Sequence, residues 1–183
     1  LLDLYNIKPK KIIEIGCSNG YRLADFHERY NAEVVGIEPS LEAIEDGKNR
    51  YPFIKFIRGM AESFSLNEKF DIVILGGVLC WVSRKTLLRA IANTDALLCE
   101  GGFLIVDDFG ANNFIKRKYH HLKDAEVSTY KQPYQEIFAS TGLYKKIGEV
   151  SFDHDSKIIS SDTDYSNIWT VSLLKKTEQY IEC

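Results

Sequence analysis

Acidic side chains stand within or at the end of three apolar runs in the first 110 residues. Glu14 is the one charge inside the run IIEI, Glu38 ends EVVGIE, and Asp108 ends GFLIVDD. A charged carboxylate is costly to bury without partners, and its hydrogen bonds to ligand hydroxyl groups are about twice as strong as those of a neutral acceptor. These acids therefore predict a polar ligand site, with structural roles as strand-end acids or turn caps as the alternative.

Small residues follow the first of these runs, in the order Gly16, Ser18 and Gly20. Helical spacing begins at Tyr21, so a strand, a tight turn and a helix N-terminus lie in succession. Glycine lets a ligand approach the main chain closely, and the first N–H groups of a helix are free to donate to it. The turn is therefore predicted to be a ligand cradle.

Strand and helix signals alternate through the first 110 residues, which is typical of a sheet built from strand–helix units. The pattern predicts strands at 11–15, 33–38, 53–57, 70–75 and 102–107, and helices at 20–30, 40–50 and 83–98, the last ended by Gly101 and Gly102. A helix at 130–140 and two consecutive strands at 143–152 and 165–174 follow. The predicted fold is therefore an α/β, Rossmann-like open sheet of about seven strands, mostly parallel, with an antiparallel C-terminal hairpin and helices on both faces.

Length and composition indicate a single domain, residues 1–183, with one well-buried core. A formal net charge of −3 and a pI near 5.8 argue against a general attraction to nucleic acid or membrane. The four cysteines show no CxxC spacing, which suits reduced thiols in a cytoplasmic protein. No apolar run approaches the roughly 20 residues of a membrane span, and no signal peptide pattern is present. Because the chain begins at Leu1 and not at Met, we expect a segment before it.

The turn departs from the dinucleotide pattern GxGxxG, because Ser18 and Tyr21 replace its second and third glycines. The sequence instead reads Glu14-x-Gly16-x-Ser18-x-Gly20. This resembles motif I of the class I S-adenosylmethionine (SAM)-dependent methyltransferases, acid-x-Gly-x-Gly-x-Gly, and a small serine should preserve the backbone path. Four further stretches resemble later motifs of that family in the same order: VVGIEPS, IRGMAESFSL, FDIVILGGVLCWV and LLCEGGFLIVDDF.

The resemblance implies that the cofactor is S-adenosyl-L-methionine and that the following residues bind it: Glu14, Gly16, Ser18, Gly20, Glu38, Met60, Ala61, Glu62 and Gly76. By that resemblance, Glu38 would hold the ribose hydroxyls and Glu14 would meet the amino end of the cofactor. Met60 stands where many relatives carry the aspartate that holds the adenine amino group, and it can pack on the purine. The adenine contact would then fall to the Ala61 N–H or to Glu62, for which a helix-start acid is the alternative. Gly76 would let the fourth strand pass beneath the cofactor.

The methyl acceptor is expected beyond the carboxyl ends of the strands, where residues 111–129 form the acceptor-site segment. Asp108, His120 and His121 are the candidate catalytic residues, because a histidine titrates near neutrality and can take a proton from a hydroxyl group. The alternatives are surface histidines on a loop and an acid that caps a turn. No metal site is predicted, because no acid stands at a recognisable spacing from the two histidines.

Positive charge is concentrated in the same segment, at Lys116, Arg117, Lys118 and Lys123. These residues are predicted to steer an anionic acceptor, with a solvated face as the alternative. The stretch LGGVLCWV lacks the Asn/Asp-Pro-Pro-aromatic signature of enzymes that methylate base amines, so nucleic acid is disfavoured. The resemblance implies a SAM-dependent methyltransferase, and together with the basic segment it predicts O-methylation of a small hydroxylated, anionic acceptor such as a sugar or nucleotide sugar. A non-catalytic SAM-binding or interaction domain of a larger protein is the alternative.

Overall fold

The computed structural model describes residues 1–118, 127–159 and 167–177. Its strands are β1 (Lys11–Ile15), β2 (Glu33–Glu38), β3 (Lys55–Arg58), β4 (Phe70–Gly76), β5 (Leu98–Phe109), β6 (Ile115–Lys118), β7 (Ser128–Lys131), β8 (Tyr144–Asp153) and β9 (Ile168–Lys176). Its helices are α1 (Tyr21–Tyr30), α2 (Leu41–Arg50), α3 (Leu87–Leu97) and α4 (Tyr134–Ala139), with a 3-10 turn at Asp3–Tyr5. Within these described ranges, no helix is both long enough and apolar enough to cross a membrane.

Seven strands form one sheet in the order β3-β2-β1-β4-β5-β9-β8, and β6 and β7 form a separate two-stranded antiparallel sheet. The first five strands are parallel, with Ile13 of the central β1 opposite both Val35 and Val73. Ile12 packs in one hydrophobic cluster and Ile13 in another, because successive side chains point to opposite faces of the sheet. Burial on both faces explains the nearly continuous apolar runs. Parallel pairing also brings the carboxyl ends of these strands to one edge.

The last two strands complete the sheet as an antiparallel hairpin, with β9 placed between β5 and β8. Asp95, which interrupts the apolar face of α3, lies 2.8 Å from Lys176 Nζ in β9 and accepts a hydrogen bond of 2.6 Å from the Tyr144 hydroxyl. The polar residue in the helix therefore ties α3 to the hairpin. The α/β fold class predicted from the sequence is confirmed, including the antiparallel C-terminal strands.

Secondary structure differs from the prediction around residue 130. The predicted helix at 130–140 is shorter, because residues 128–131 form β7 and α4 begins only after Pro133. Thr129 and Lys131 are the buried positions of β7, so its alternation spans only four residues. Such a short run gives too little periodicity to identify a strand from the sequence.

The third helix is also shorter than predicted. It begins at Leu87, because residues 83–86 form a hydrogen-bonded turn, and it ends at Leu97. The predicted stop at Gly101 and Gly102 is therefore wrong. Gly101 instead lies within β5 at φ +74°, a conformation that glycine adopts without steric cost.

Candidate cofactor and acceptor site

The turn after β1 leaves no room for a side chain at two positions. Gly16 has φ +76°, and a Cβ there would lie 2.2 Å from Val78 Cγ2. Gly20 has φ +82°, and a Cβ there would lie 2.8 Å from Ile54 Cδ1. The Gly16 N–H donates to the Ile37 carbonyl oxygen at 2.7 Å, which fixes the turn against the end of β2. The backbone path itself therefore requires both glycines.

Glu38 connects this turn to the next helix. The Ser18 N–H donates to Glu38 Oε2 at 3.0 Å, and the Ser40 N–H donates to Oε1 at 3.0 Å. Ser40 also caps α2, where its hydroxyl oxygen accepts from the Ala43 N–H at 3.3 Å. Because a carboxylate has about four acceptor positions, Glu38 can hold these two donors and still accept from a ligand diol.

Ser18 adopts φ +51°, a left-handed conformation that favours glycine. We expect Ser18→Val to lower the free energy of unfolding by about 1 to 2 kcal/mol, because a β-branched side chain is strained in this conformation. Ser18→Gly should change it by less than about 0.5 kcal/mol, because relief of strain is offset by the greater freedom of glycine in the unfolded chain. Urea denaturation measures both values, and a valine variant as stable as the wild type would contradict the expected strain.

A buried polar network lies beneath the turn. Glu14 is only 2% exposed, and its Oε1 lies 3.4 Å from Arg22 Nε. Arg22 Nη1 donates in turn to Asp107 Oδ2 at 2.6 Å, and the Trp169 indole N–H donates to the other oxygen of Asp107. Burial raises the pKa of Glu14 to about 7, although Arg22 opposes the rise. Glu14 Oε2 is buried and has no hydrogen-bond partner in the described part of the chain.

The predicted cofactor residues gather around a cleft of about 340 Å³ at the carboxyl edge of the sheet. Residues from the sequence prediction that line it are Gly16, Glu38, Met60, Ala61, Glu62 and Gly76. Glu14, Ser18 and Gly20 are not among the lining residues, although the Ser18 N–H donates to Glu38 and Glu14 lies next to Gly76. Met60 is 52% exposed and offers the cleft an apolar surface.

These residues fit S-adenosylmethionine. Glu38 at the rim suits the ribose diol, and the buried Glu14 oxygen without a partner suits a cationic amino group. Ile15 and Val82 supply apolar wall for a purine. A Cβ at Gly76 would lie 2.9 Å from Glu14 Oε1, so a side chain there would crowd that acid. When bound, the cofactor supplies a methyl group activated by a sulfonium sulfur.

A second cavity of about 420 Å³ shares Trp81 with the cofactor cleft, and we call it the basic cavity. Cationic and aromatic side chains dominate its wall: Phe109, Arg117, Lys118, Lys131, His154 and Trp169. Lys131 is only 5% exposed, and its Nζ lies 3.8 Å from the centroid of the Phe109 ring. A positive charge is therefore buried in a cavity next to the cofactor cleft.

Of the three predicted catalytic residues, Asp108 lies within the described part of the chain. Asp108 is 2% exposed, and its carboxylate accepts from the Cys80 N–H at 3.1 Å and from the Phe109 N–H at 2.7 Å. Burial raises the pKa of Asp108 to about 6. This acid lines neither the cleft nor the basic cavity, and it fixes the segment after β4 from below. His120 and His121 lie outside the described residues.

Arg84, which the sequence does not single out, holds the segment between β4 and α3. Its Nη2 donates to the carbonyl oxygens of Leu79 and Val82, each at 2.6 Å. Its guanidinium lies 4.3 Å from the centroid of the Tyr130 ring, and Nη1 donates to the Tyr134 hydroxyl at 3.2 Å. The planar guanidinium thus joins the wall that carries Trp81 to β7.

Residues 12–102 match a protein family described as "Methyltransferase domain". The tRNA U34 carboxymethyltransferase of Desulfotalea psychrophila is 32% identical over 114 residues, which are 58% of this chain and 35% of that protein. The trans-aconitate 2-methyltransferase of Methylobacterium radiotolerans is 30% identical over 100 residues, which are 54% of this chain and 37% of that protein. The N-methyltransferase NodS from Bradyrhizobium japonicum WM9, crystallised with S-adenosyl-L-homocysteine, has a TM-score of 0.69 and 16% identity, covering 97% of this chain and 83% of NodS.

The chain spans little more than a third of the length of the two curated relatives. The match to the methyltransferase family covers the glycine turn, Glu38 and the rest of the cofactor cleft. NodS shares the fold over nearly the whole chain, including the residues beyond 102. The chain therefore belongs to the class I S-adenosylmethionine-dependent methyltransferases, whose cofactor is S-adenosylmethionine.

Proposed function

We propose that this protein transfers the methyl group of SAM to an oxygen of a small, hydroxylated, anionic acceptor, such as a sugar phosphate or nucleotide sugar, bound in the basic cavity. The observation that carries this proposal is the buried Lys131, which lines the cavity beside Arg117 and Lys118. The cavity and the cofactor cleft share Trp81, so an acceptor there would lie next to the cofactor.

The electrostatics of the basic cavity favour an anion. Among the described residues that line it, three are cations and one is a carboxylate, Asp155, although the whole chain has a formal net charge of −3. Arginine and lysine form charge-assisted hydrogen bonds with phosphate and carboxylate groups, and these bonds are strengthened where water is excluded. One relative is named for trans-aconitate, an anionic acceptor, which supports the same chemistry.

The residues of the cavity would promote transfer mainly by orientation. In-line displacement requires the acceptor oxygen, the methyl carbon and the sulfur to be collinear, and such positioning can contribute up to about 7–11 kcal/mol in the best intramolecular cases. The cations would hold the anionic part of the acceptor, while Trp81, Phe109 and Trp169 would limit its movement and exclude water. This division of roles suits an acceptor with one charged end and one hydroxylated ring.

We expect the protein with SAM to methylate glucose 6-phosphate or UDP-glucose in preference to the neutral methyl glucoside. Lys131→Met keeps the apolar stem of the side chain but removes its charge, so KM for the anionic acceptor should rise by about tenfold or more. Lys145→Met, at an exposed position of β8, is the matched control and should leave KM unchanged. Transfer of labelled methyl groups measures both effects. Preference for the neutral glucoside, or an unchanged KM for Lys131→Met, would contradict the proposal.

A non-catalytic SAM-binding or interaction domain is the second candidate. The observation that favours it is that Asp108, a predicted base, engages backbone N–H groups and lines neither cavity. Tight binding of S-adenosylhomocysteine by calorimetry, without methyl transfer to any member of the panel, would support this alternative. A tRNA transcript belongs in the panel because one relative is named for tRNA. Methyl transfer to tRNA, without transfer to any small molecule of the panel, would mean that the acceptor is tRNA and not a small molecule.

A further inference from the structure

His154 occupies a defined position in the wall of the basic cavity. Its ring lies against two aromatic rings, with centroid distances of 5.0 Å to Phe109 and 5.0 Å to Trp169. Its backbone N–H donates to the Asn167 carbonyl oxygen at 2.9 Å. The side chain is 37% exposed, so the imidazole is held by its neighbours and remains accessible.

The neighbouring turn orients the imidazole of His154. His154 Nδ1 lies 3.1 Å from Asp155 Oδ1, and Asp155 Oδ2 accepts from Asn167 Nδ2 at 3.1 Å. Asp153 fixes the turn, because its Oδ1 accepts from the Ser156 N–H at 2.8 Å and from the Asp155 N–H at 3.1 Å. The hydrogen bond from His154 lowers the pKa of Asp155, which therefore stays ionised at neutral pH. An ionised acceptor at Nδ1 selects the tautomer with the proton on Nδ1 and leaves the lone pair on Nε2.

The geometry points to His154 as the general base that deprotonates the acceptor hydroxyl in the basic cavity, with Asp155 as the residue that positions it. This inference rests on the proposed methyl transfer to oxygen. The acceptor oxygen forms a bond to the methyl carbon as the carbon–sulfur bond breaks, and the electron pair of that bond stays on sulfur. The hydroxyl proton moves to His154 Nε2, and it leaves to water after the product departs. No other reactant is needed for the balance.

Other described groups fit this role less well. The carboxylate of Asp108 is buried and accepts two backbone hydrogen bonds. The cavity cations Arg117, Lys118 and Lys131 can stabilise a developing alkoxide, but a protonated cation cannot take its proton. The signal in the sequence is the stretch DHDS at residues 153–156, in which the acids on both sides of the histidine organise the turn.

The test uses His154→Gln, with His27→Gln as the matched control. His27 is also a stacked histidine, 4.3 Å from the Phe53 ring centroid, but it lies on α1 and lines neither cavity. With glucose 6-phosphate or UDP-glucose, whichever the wild type methylates, kcat of His154→Gln should fall by about 10²-fold with little change in KM. The control should retain the wild-type kcat. A wild-type kcat for a folded His154→Gln variant would overturn the assignment.

The tautomer of His154 supplies a readout that needs no acceptor. In the ¹⁵N-labelled protein, long-range proton–nitrogen correlation should show the proton on Nδ1, and Asp155→Asn should release this preference. A proton on Nε2 in the wild type would overturn the assignment whatever the activity. If the wild type methylates none of the anionic acceptors, the proposed acceptor class fails, while the tautomer still decides the His154–Asp155 arrangement.

Discussion

An Arg22→Met variant is expected to lose about 3 kcal/mol of unfolding free energy above about pH 8, where Glu14 is ionised in the wild type, because it removes the cation that two carboxylates share. Arg22 lies 3.4 Å from Glu14 and 2.6 Å from Asp107, and the carboxylate side chains are only 3% and 13% exposed. Methionine keeps the apolar stem of arginine, so the variant tests the charge more than the packing. A loss below about 1 kcal/mol, the level of surface ion pairs, would contradict a buried network.

The effect of Arg22→Met should depend on pH in a defined direction. In the folded protein, burial raises the pKa of Glu14 from its ordinary 4.5 to about 7, and Arg22 opposes the rise. Between about pH 4.5 and pH 7, Glu14 binds its proton more tightly in the folded state than in the unfolded state. The contribution of Glu14 to stability therefore falls as the pH rises through this window. Without Arg22 the folded-state pKa should rise further. The gap between variant and wild type should therefore be small and nearly constant between about pH 5 and pH 6, where Glu14 is protonated in both folded proteins, and widen above about pH 7.

Denaturation in urea across this pH range measures both effects. Arg29→Met is the matched control, because Arg29 lies on the same helix and pairs with Asp3, but both side chains are more than half exposed. The control should lose less than about 1 kcal/mol, since exposed ion pairs contribute little. Equal losses of unfolding free energy in Arg22→Met and Arg29→Met would mean that the buried ion pairs contribute no more to stability than the exposed one.

A Glu38→Ala variant is expected to weaken SAM binding by about 10- to 100-fold, the range for lost hydrogen bonds to a charged group. Glu38 lines the cofactor cleft, and its carboxylate also accepts from the Ser18 and Ser40 N–H groups. The substitution would thus remove the acceptor for the ribose diol and the link that holds the glycine turn. Glu38→Gln keeps one acceptor oxygen and should fall between the alanine variant and the wild type.

Calorimetric titration with S-adenosylhomocysteine measures this affinity without an acceptor. Glu42→Ala provides the control, because Glu42 is an exposed acid in the first turn of α2. Its affinity should equal that of the wild type. If Glu38→Ala binds the product as tightly as the control does, the ribose does not contact this carboxylate.

Local patterns in the sequence were sufficient to predict the sheet, and the family resemblance supplied six of the residues that line the cofactor cleft. The buried strands β1, β2, β4 and β5 appear as continuous apolar runs; Gly16 directly follows β1, and Glu38 is the last residue of β2. Parallel pairing then brings the ends of these strands together, whatever the details of packing. Residues 115–118 and 128–131 escaped prediction because they are short and mostly polar, without the apolar run that marks β3, a strand of equal length.

The remaining site residues depend on contacts between distant parts of the chain. Arg22 and Asp107 are separated by 85 positions in the sequence, and no spacing rule joins them. Arg84 resembles any polar residue near a helix start until its carbonyl partners are known. The role proposed for His154 depends on Trp169 and on the return of β9 beside β5. Such tertiary contacts have no signature in a single sequence.

Trp81 forms part of the wall of both cavities, and this placement has a thermodynamic consequence. A ligand in the cofactor cleft that restricts the Trp81 indole would change the binding free energy of a ligand in the basic cavity. By linkage, the cofactor then changes the affinity for the acceptor by the same factor as the acceptor changes the affinity for the cofactor. The part of the cooperativity that passes through Trp81 is therefore expected to be lost when this indole is removed.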